Sequence, residues 1–166
     1  MIKADQPTVS LVAAHLEEAA LGDALLNRVN LHETYLSKAK FHFAALNHSD
    51  LSDADLISAD LSLAGLHHSN LHYSNLSDAD LSNADLKGAV LSATRLGDDK
   101  HGDADLSGAI LSNANLNGAV GWTGEQLRAA KSLEGATMPD GRILKSDDKP
   151  DRPTFEEWLK SRGEKG

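Results

Sequence analysis

The chain has no cysteine, which excludes a disulfide framework, a thiolate metal site and a cysteine nucleophile. Prolines number 4 and aromatic residues make up only 4% of the 166 residues, although 40% of the sequence is apolar. The apolar share therefore rests on leucine and alanine, and such a core must be regular, built from one repeated part rather than fitted around large rings. No apolar stretch approaches the roughly 18 residues that a membrane span requires, and Met1–Pro7 has neither the basic nor the apolar region of a secretory signal. No nucleophile–base pairing, glycine-rich phosphate loop, HExxH motif or paired-cysteine motif is present. These absences lead us to expect one soluble cytoplasmic domain that is not an enzyme, carries no cofactor and makes no membrane contact.

Positive charge is scarce as well, and the scarcity is local. The formal net charge is -9. Residues 9–120 hold 15 Asp and Glu against 6 Lys and Arg, residues 121–166 hold 9 of each, and residues 1–8 hold 1 of each. All the excess negative charge thus lies on one segment, which will repel phosphates, so direct nucleic-acid binding is not expected.

What that segment does contain is a period of five. Of the 22 positions from residue 11 to residue 116 in steps of five, 20 are Leu, the exceptions being Phe41 and His101. Two residues before each stands a small or β-branched residue, from Ala14 to Ala119, with Asp99 alone breaking the row. Five residues turn an α-helix by about 500° and move a strand to its opposite face, so neither element keeps these leucines together. The period works if each pentad is one side of a coil, with Leu inward, the small residue at a corner and three positions facing water. Four sides make a coil of 20 residues. Asp or Asn before Leu, and Ser, Asn or Gly after it, suit tight turns, as in Ala79-Asp80-Leu81-Ser82-Asn83. Leu51, Leu56, Leu61, Leu66, Leu71, Leu76, Leu81 and Leu86 are the expected core.

The run of Ala-Asp/Asn-Leu followed by two polar residues closely resembles the pentapeptide-repeat proteins. The resemblance implies an all-β solenoid, a right-handed quadrilateral β-helix with short β bridges between coils. The leucine-rich, cysteine-free version looks like the many bacterial, notably cyanobacterial, members whose role is unassigned. Residues 9–120 are assigned to the β-helix, 121–144 to a C-terminal cap and 145–166 to a linker and a short amphipathic helix. Thr123-Gly124-Glu125-Gln126 reads as a capping box opening a helix that runs to about Lys131, and Thr154-Phe155-Glu156-Glu157 as a second one. Residues 145–153, charged and containing two prolines, are expected to be mobile. Docking of the last helix against its own chain is weighed against a partner-binding or dimer arm. Residues 1–8 are too few to build a cap at the other end.

Several side chains stand out as candidates for chemistry. All eight histidines lie in the repeat, and His48 and His68 fall on successive coils with His67 beside them, a weak metal site set against ordinary exposed histidines. His32 and His72 share a column two coils apart. His101 takes an inward position, and because the pentad Asp99–Asp103 keeps its length it reads as a substitution within the register, not an inserted loop. Lys40, Asp60, Asp80 and Lys100 form one column of alternating sign at its ends. Phe43 and Leu63 share an outward column, and Val90 and Ile110 another leading to Val120, which the C-terminal segment is expected to cover.

The favoured function is a scaffold or regulatory protein-interaction module acting on an unidentified protein partner, as a monomer or as a homodimer joined through an end. Its candidate surface comprises one acidic face, Asp55, Asp60, Asp80 and Asp85, together with Phe43, Leu63, Phe155 and Trp158. The resemblance also implies an alternative, because some members of that family mimic B-DNA and modulate DNA gyrase and related topoisomerases. Those members are rich in inward Phe, often carry Cys, and have projecting loops or a dimer-forming end, none of which is read here. Metal binding through stacked histidines is the third reading.

Overall fold

The computed structural model describes residues 9–163; the readings of residues 1–8 lie outside them. Each pentad makes one tight turn. The fourth residue donates its amide to the carbonyl of the Leu that opens the turn, as Ala84 does to Leu81 at 3.0 Å. The third residue takes a positive φ, from 53° at Ala13 to 63° at Arg28 among the non-glycine residues and up to 73° at Gly118, the mark of a type II turn. Most of these residues are not glycine, and Phe43, Leu63 and Tyr73 are bulky. A left-handed backbone costs a non-glycine residue about 1–2 kcal/mol, so the repeat holds its shape against local preference. At Ala93, φ is 56°. Ala93→Gly is therefore expected to raise the melting midpoint by about 2–4 °C, in spite of glycine's greater freedom in the unfolded chain.

Parallel bridges join residues 20 apart, such as Asn30 to Asp50 and Asp50 to Asn70. Each coil carries four of them, one per side: the columns begin at Ser10, His15, Ala20 and Leu25. The chain is thus a four-sided solenoid. Among the described residues the coils pair through single bridges, with no continuous strand. Leu51 through Leu86 in steps of five are fully buried, as is Phe41, and the small residues from Ala39 to Ala119 close the corners. Where that row holds a hydroxyl, it is satisfied: Ser49, Ser69, Ser74 and Thr94 donate to the carbonyls of Leu46, Leu66, Leu71 and Leu91 at 2.6–2.8 Å. The leucines of the first described coil, Leu11, Leu16, Leu21 and Leu26, are only partly buried.

Within residues 9–120 one coil departs from 20 residues. After Asn75–Arg95 the spacing becomes 25: Asp80 pairs with Asp105, Asp85 with Ile110, Val90 with Asn115 and Arg95 with Val120. The Ala104 amide closes the turn of Leu96 at 2.7 Å, and the Gly102 carbonyl accepts from Asp78 as the residue after Leu does elsewhere. Residues 97–101 are therefore one whole pentad looped out of the coil. This corrects the reading of His101 as a substitution within the register. His101 leaves the core, half-buried, with its Nδ1 3.0 Å from Asp98 Oδ1. Beyond the loop every column shifts. Lys100 is not in the column of Asp60 and Asp80, which continues to Asp105; Val90, Ile110 and Val120 lie on three different sides. The neck is tight, since a Cβ at Gly121 would collide with the Gly97 carbonyl. Joining Leu96 to Gly102 restores Leu-Gly-Asp-Ala-Asp-Leu, so a chain lacking residues 97–101 is expected to fold with its melting midpoint unchanged or raised, because a shorter loop costs less closure entropy.

The C-terminal segment closes the far end. Helix α1, Gly124–Ala129, starts at Thr123 with the capping box complete through Gln126. Past it the coil resumes: Ser132 bridges Ile110, Thr137 bridges Asn115, and Leu133 and Met138 fall five apart with Ala136 buried between them. The chain then reverses at Asp140 and Gly141, pairing Ile143 with Thr137. Residues 145–153, read as a mobile linker, instead fold back, with Lys145 donating to the Pro153 carbonyl at 2.8 Å and Ser146 bridging Lys149. Helix α2, Phe155–Ser161, opens on a second capping box at Thr154 and docks on its own chain. Among the described residues no helix is long and apolar enough to cross a membrane.

Candidate functional site

The carboxylates of the repeat have a local duty first. Each Asp or Asn before Leu accepts the amide two residues on: Asp55 from Ile57 at 3.1 Å, Asp60 from Ser62 at 3.1 Å, Asp80 from Ser82 at 2.8 Å, Asp85 from Lys87 at 3.0 Å. This bond fixes the turn. The residue type therefore recurs for structural reasons, and only its arrangement on the rod can carry function. That arrangement differs from the sequence reading. Asp55 pairs with Tyr35 and Asn75, Asp85 with Gly65 and Ile110, and Asp60 with Lys40 and Asp80. The four carboxylates occupy three sides, because residues five apart stand on neighbouring sides and only residues one coil apart stack. The real ladder is Asp60, Asp80 and Asp105 on one side, above Lys40.

Phe43 and Leu63 stand at the turns that end this side, one coil apart, and both are exposed. The His42 ring meets Phe43 edge-on at 4.3 Å and gives its Nδ1 to Ser62 at 2.7 Å. A ladder of carboxylates thus borders an apolar pair. Trp158 does not belong to any surface: it is fully buried, with Nε1 donating to both Asp140 oxygens at 3.0 Å and its ring 5.4 Å from Trp122. Phe155 is half-buried against the same cluster, 5.8 Å from Trp158. The amphipathic helix has spent its apolar face on its own chain.

His48 and His68 stack at 5.5 Å with 28° between their planes, and His67 leans on both. Stacked rings present faces to one another and do not converge two nitrogen lone pairs on one point. Among the described residues no group of three or more His, Asp or Glu is placed to hold a metal ion.

A residue the sequence undervalued is Gln126. Besides capping α1 it sends Nε2 to the carbonyls of Leu96 at 3.1 Å and Ala104 at 2.7 Å, clasping both sides of the neck from which residues 97–101 project. Its capping-box position was legible; its second role depends on the loop, which was not.

Comparison with known proteins places this geometry. The family model described as pentapeptide repeats matches in eight copies, over residues 14–53, 34–72, 49–88, 59–98 and 102–121. None of the curated proteins matches the sequence. Among solved structures, a pentapeptide repeat protein from the thylakoid lumen of Arabidopsis thaliana is 25% identical, with a TM-score of 0.57 over 78% of this chain and 83% of that one. HetL, involved in heterocyst differentiation regulation in the cyanobacterium Nostoc, is 36% identical over 81% of this chain and 61% of its own, with a TM-score of 0.41. QnrB1, a plasmid-mediated fluoroquinolone resistance protein, is 15% identical over 84% and 79%, with a TM-score of 0.43. The repeated Leu turns, the bridges one coil apart and a family match that leaves out residues 99–101 of the loop agree: this chain belongs to the pentapeptide repeat family.

Proposed function

We propose that the protein is a non-enzymatic interaction scaffold, a right-handed quadrilateral β-helix of the cytoplasm that presents one side to a protein partner. The observation that supports this is the juxtaposition of the Asp60–Asp80–Asp105 ladder with exposed Phe43 and Leu63 at its border. Stacked carboxylates steer a basic partner, and an apolar pair beside them supplies area that can be desolvated on contact. A rigid side needs little ordering on binding, which lowers the entropic cost.

The test is affinity purification from the native host with three baits. Wild type is expected to retain a partner that Asp60→Lys/Asp80→Lys/Asp105→Lys loses by about tenfold or more, whereas a control with Asp50→Lys, on another side, retains it. Equal recovery by all three baits, with unchanged circular dichroism, removes this side from consideration.

A second reading, modulation of a type II topoisomerase by DNA mimicry, gains support from the projecting pentad 97–101, a feature the sequence reading had counted as missing. The same carboxylate ladder would stand for phosphates. A gyrase supercoiling assay with no inhibition and no protection from a quinolone ends this reading.

A further inference from the structure

The coils carry few cations, and two of them share one edge with three histidines. Arg28, His48 and His68 hold the same turn position on three successive coils, and His67 and Lys87 hold the position before it. The backbone sets the levels: His48 donates its amide to the His67 carbonyl at 2.9 Å and His68 to the Lys87 carbonyl at 3.0 Å. The His67 and His68 rings lie 4.1 Å apart. An open groove runs along this edge, lined by Arg28, His48, His67 and Lys87, with Asp85 at its rim.

What distinguishes the edge is its missing acceptors. Every other histidine has a partner for Nδ1: His15 has Glu17, His32 has Ser52, His42 has Ser62, His72 has Ser92 and His101 has Asp98. Here only His68 is bonded, weakly, to the Gly88 carbonyl at 3.3 Å. Among the described residues the His48 ring has no hydrogen bond, His67 Nδ1 is buried without a partner, and neither Arg28 nor Lys87 has an ion pair. The nearby carboxylates are engaged: Asp85 accepts the Lys87 amide, and Asp50, beside His48, accepts from Ser52 and Asn70. Arg28, His48, His68 and Lys87 are exposed, so the buried atom that lacks a partner is His67 Nδ1, and such an atom is costly unless something else supplies it.

We propose that this edge binds a tetrahedral dianion of the phosphate type, free or carried as a phosphate ester. Five donor side chains on successive coils exceed what a carboxylate's two oxygens can accept, whereas a phosphate group offers three or more. Asp50 and Asp85 are the carboxylates that face this cluster, and Arg28 and Lys87 the cations.

The experiment follows the histidine ring resonances of the full chain by NMR during titration with inorganic phosphate, O-phosphoserine and sulfate at one fixed pH. His48, His67 and His68 are expected to shift saturably. Arg28→Asn/Lys87→Gln, which keeps a residue tolerant of positive φ at position 28, is expected to abolish the shifts while His32 and His72 stay unchanged. Tighter O-phosphoserine than phosphate binding identifies the ester as the source, and the reverse identifies the free ion; both support the site. Uniform shifts across all eight histidines, no shift, or an unaltered response in the double variant overturns it. None of these outcomes bears on the ladder proposed above, which lies on another side.

Discussion

Leu71→Ala is expected to cost about 2–5 kcal/mol, whereas Leu21→Ala costs about 1 kcal/mol or less. The two side chains are chemically identical and occupy the same kind of position in the turn. Leu71 is fully buried with a coil on each side, Leu51 below it and Leu91 above, while Leu21 is partly exposed in the first described coil. Truncating Leu71 opens a cavity that the neighbouring turns cannot collapse, since their backbones are held by bridges in both directions. The effect should also spread unevenly. In a solenoid each coil is stabilised by its neighbours alone, so a weak coil in the middle uncouples the two halves. Urea unfolding of Leu71→Ala is expected to shift to a lower midpoint and to broaden, with amides before residue 71 exchanging faster than those after it. A sharp transition with uniform exchange would show that the rod unfolds as one unit and that stacking is not carried coil by coil.

The contrast explains which parts of this molecule could be read from its sequence. Period five is a strong signal because it conflicts with both helix and strand, and it located the core leucines and the corner row, while both capping boxes were legible from Thr with Gln or Glu three residues on. The loop is hidden by its length. An insertion of one whole period leaves the phase unchanged, so Leu106, Leu111 and Leu116 remain in step although they sit one side further round. The only trace was local: His101 and Asp99 fail together in both rows, and Gly102-Asp103-Ala104-Asp105 completes a proper pentad after Leu96. That one slip carried Lys100, Val90 and Ile110 into the wrong columns. Leu133, Ala136 and Met138 escaped for the opposite reason, because the two extra residues spent on α1 put them out of phase with the rest. The acidic side was misjudged differently. Residues five apart in sequence stand on neighbouring sides, whereas in a four-sided coil a face is built from residues one coil apart. Trp158 read as a surface anchor because an amphipathic stripe does not say whose core it fills.

Trp158→Ala is expected to release the C-terminal cap, at a cost of about 3–5 kcal/mol. The indole fills the space between α2 and the reversal at Asp140, packs on Trp122 and Phe155, and lies 5.3 Å beneath the Arg162 guanidinium. Its loss leaves Leu159 without its neighbour and frees residues 145–153 to open, so trypsin should cleave after Lys145 much faster than in wild type, whereas the bonds after Lys149 and Arg152 are protected by the prolines that follow them. Trp158→Phe keeps most of the area and loses the bond to Asp140, and should lie between. Asp140 makes the same cap sensitive to acid. Burial pushes its carboxyl up, but the Arg142 amide, the Trp158 indole and the Arg142 guanidinium together outweigh burial and hold it below its ordinary value. A carboxyl lowered in the fold contributes stability that is present above the unfolded value of about 4 and is lost as the pH falls through the folded value. Tryptophan emission should therefore stay constant from pH 7 to about 4 and move to longer wavelength only below that. A transition near pH 6 would place control of the cap on a histidine, and none of the eight touches it.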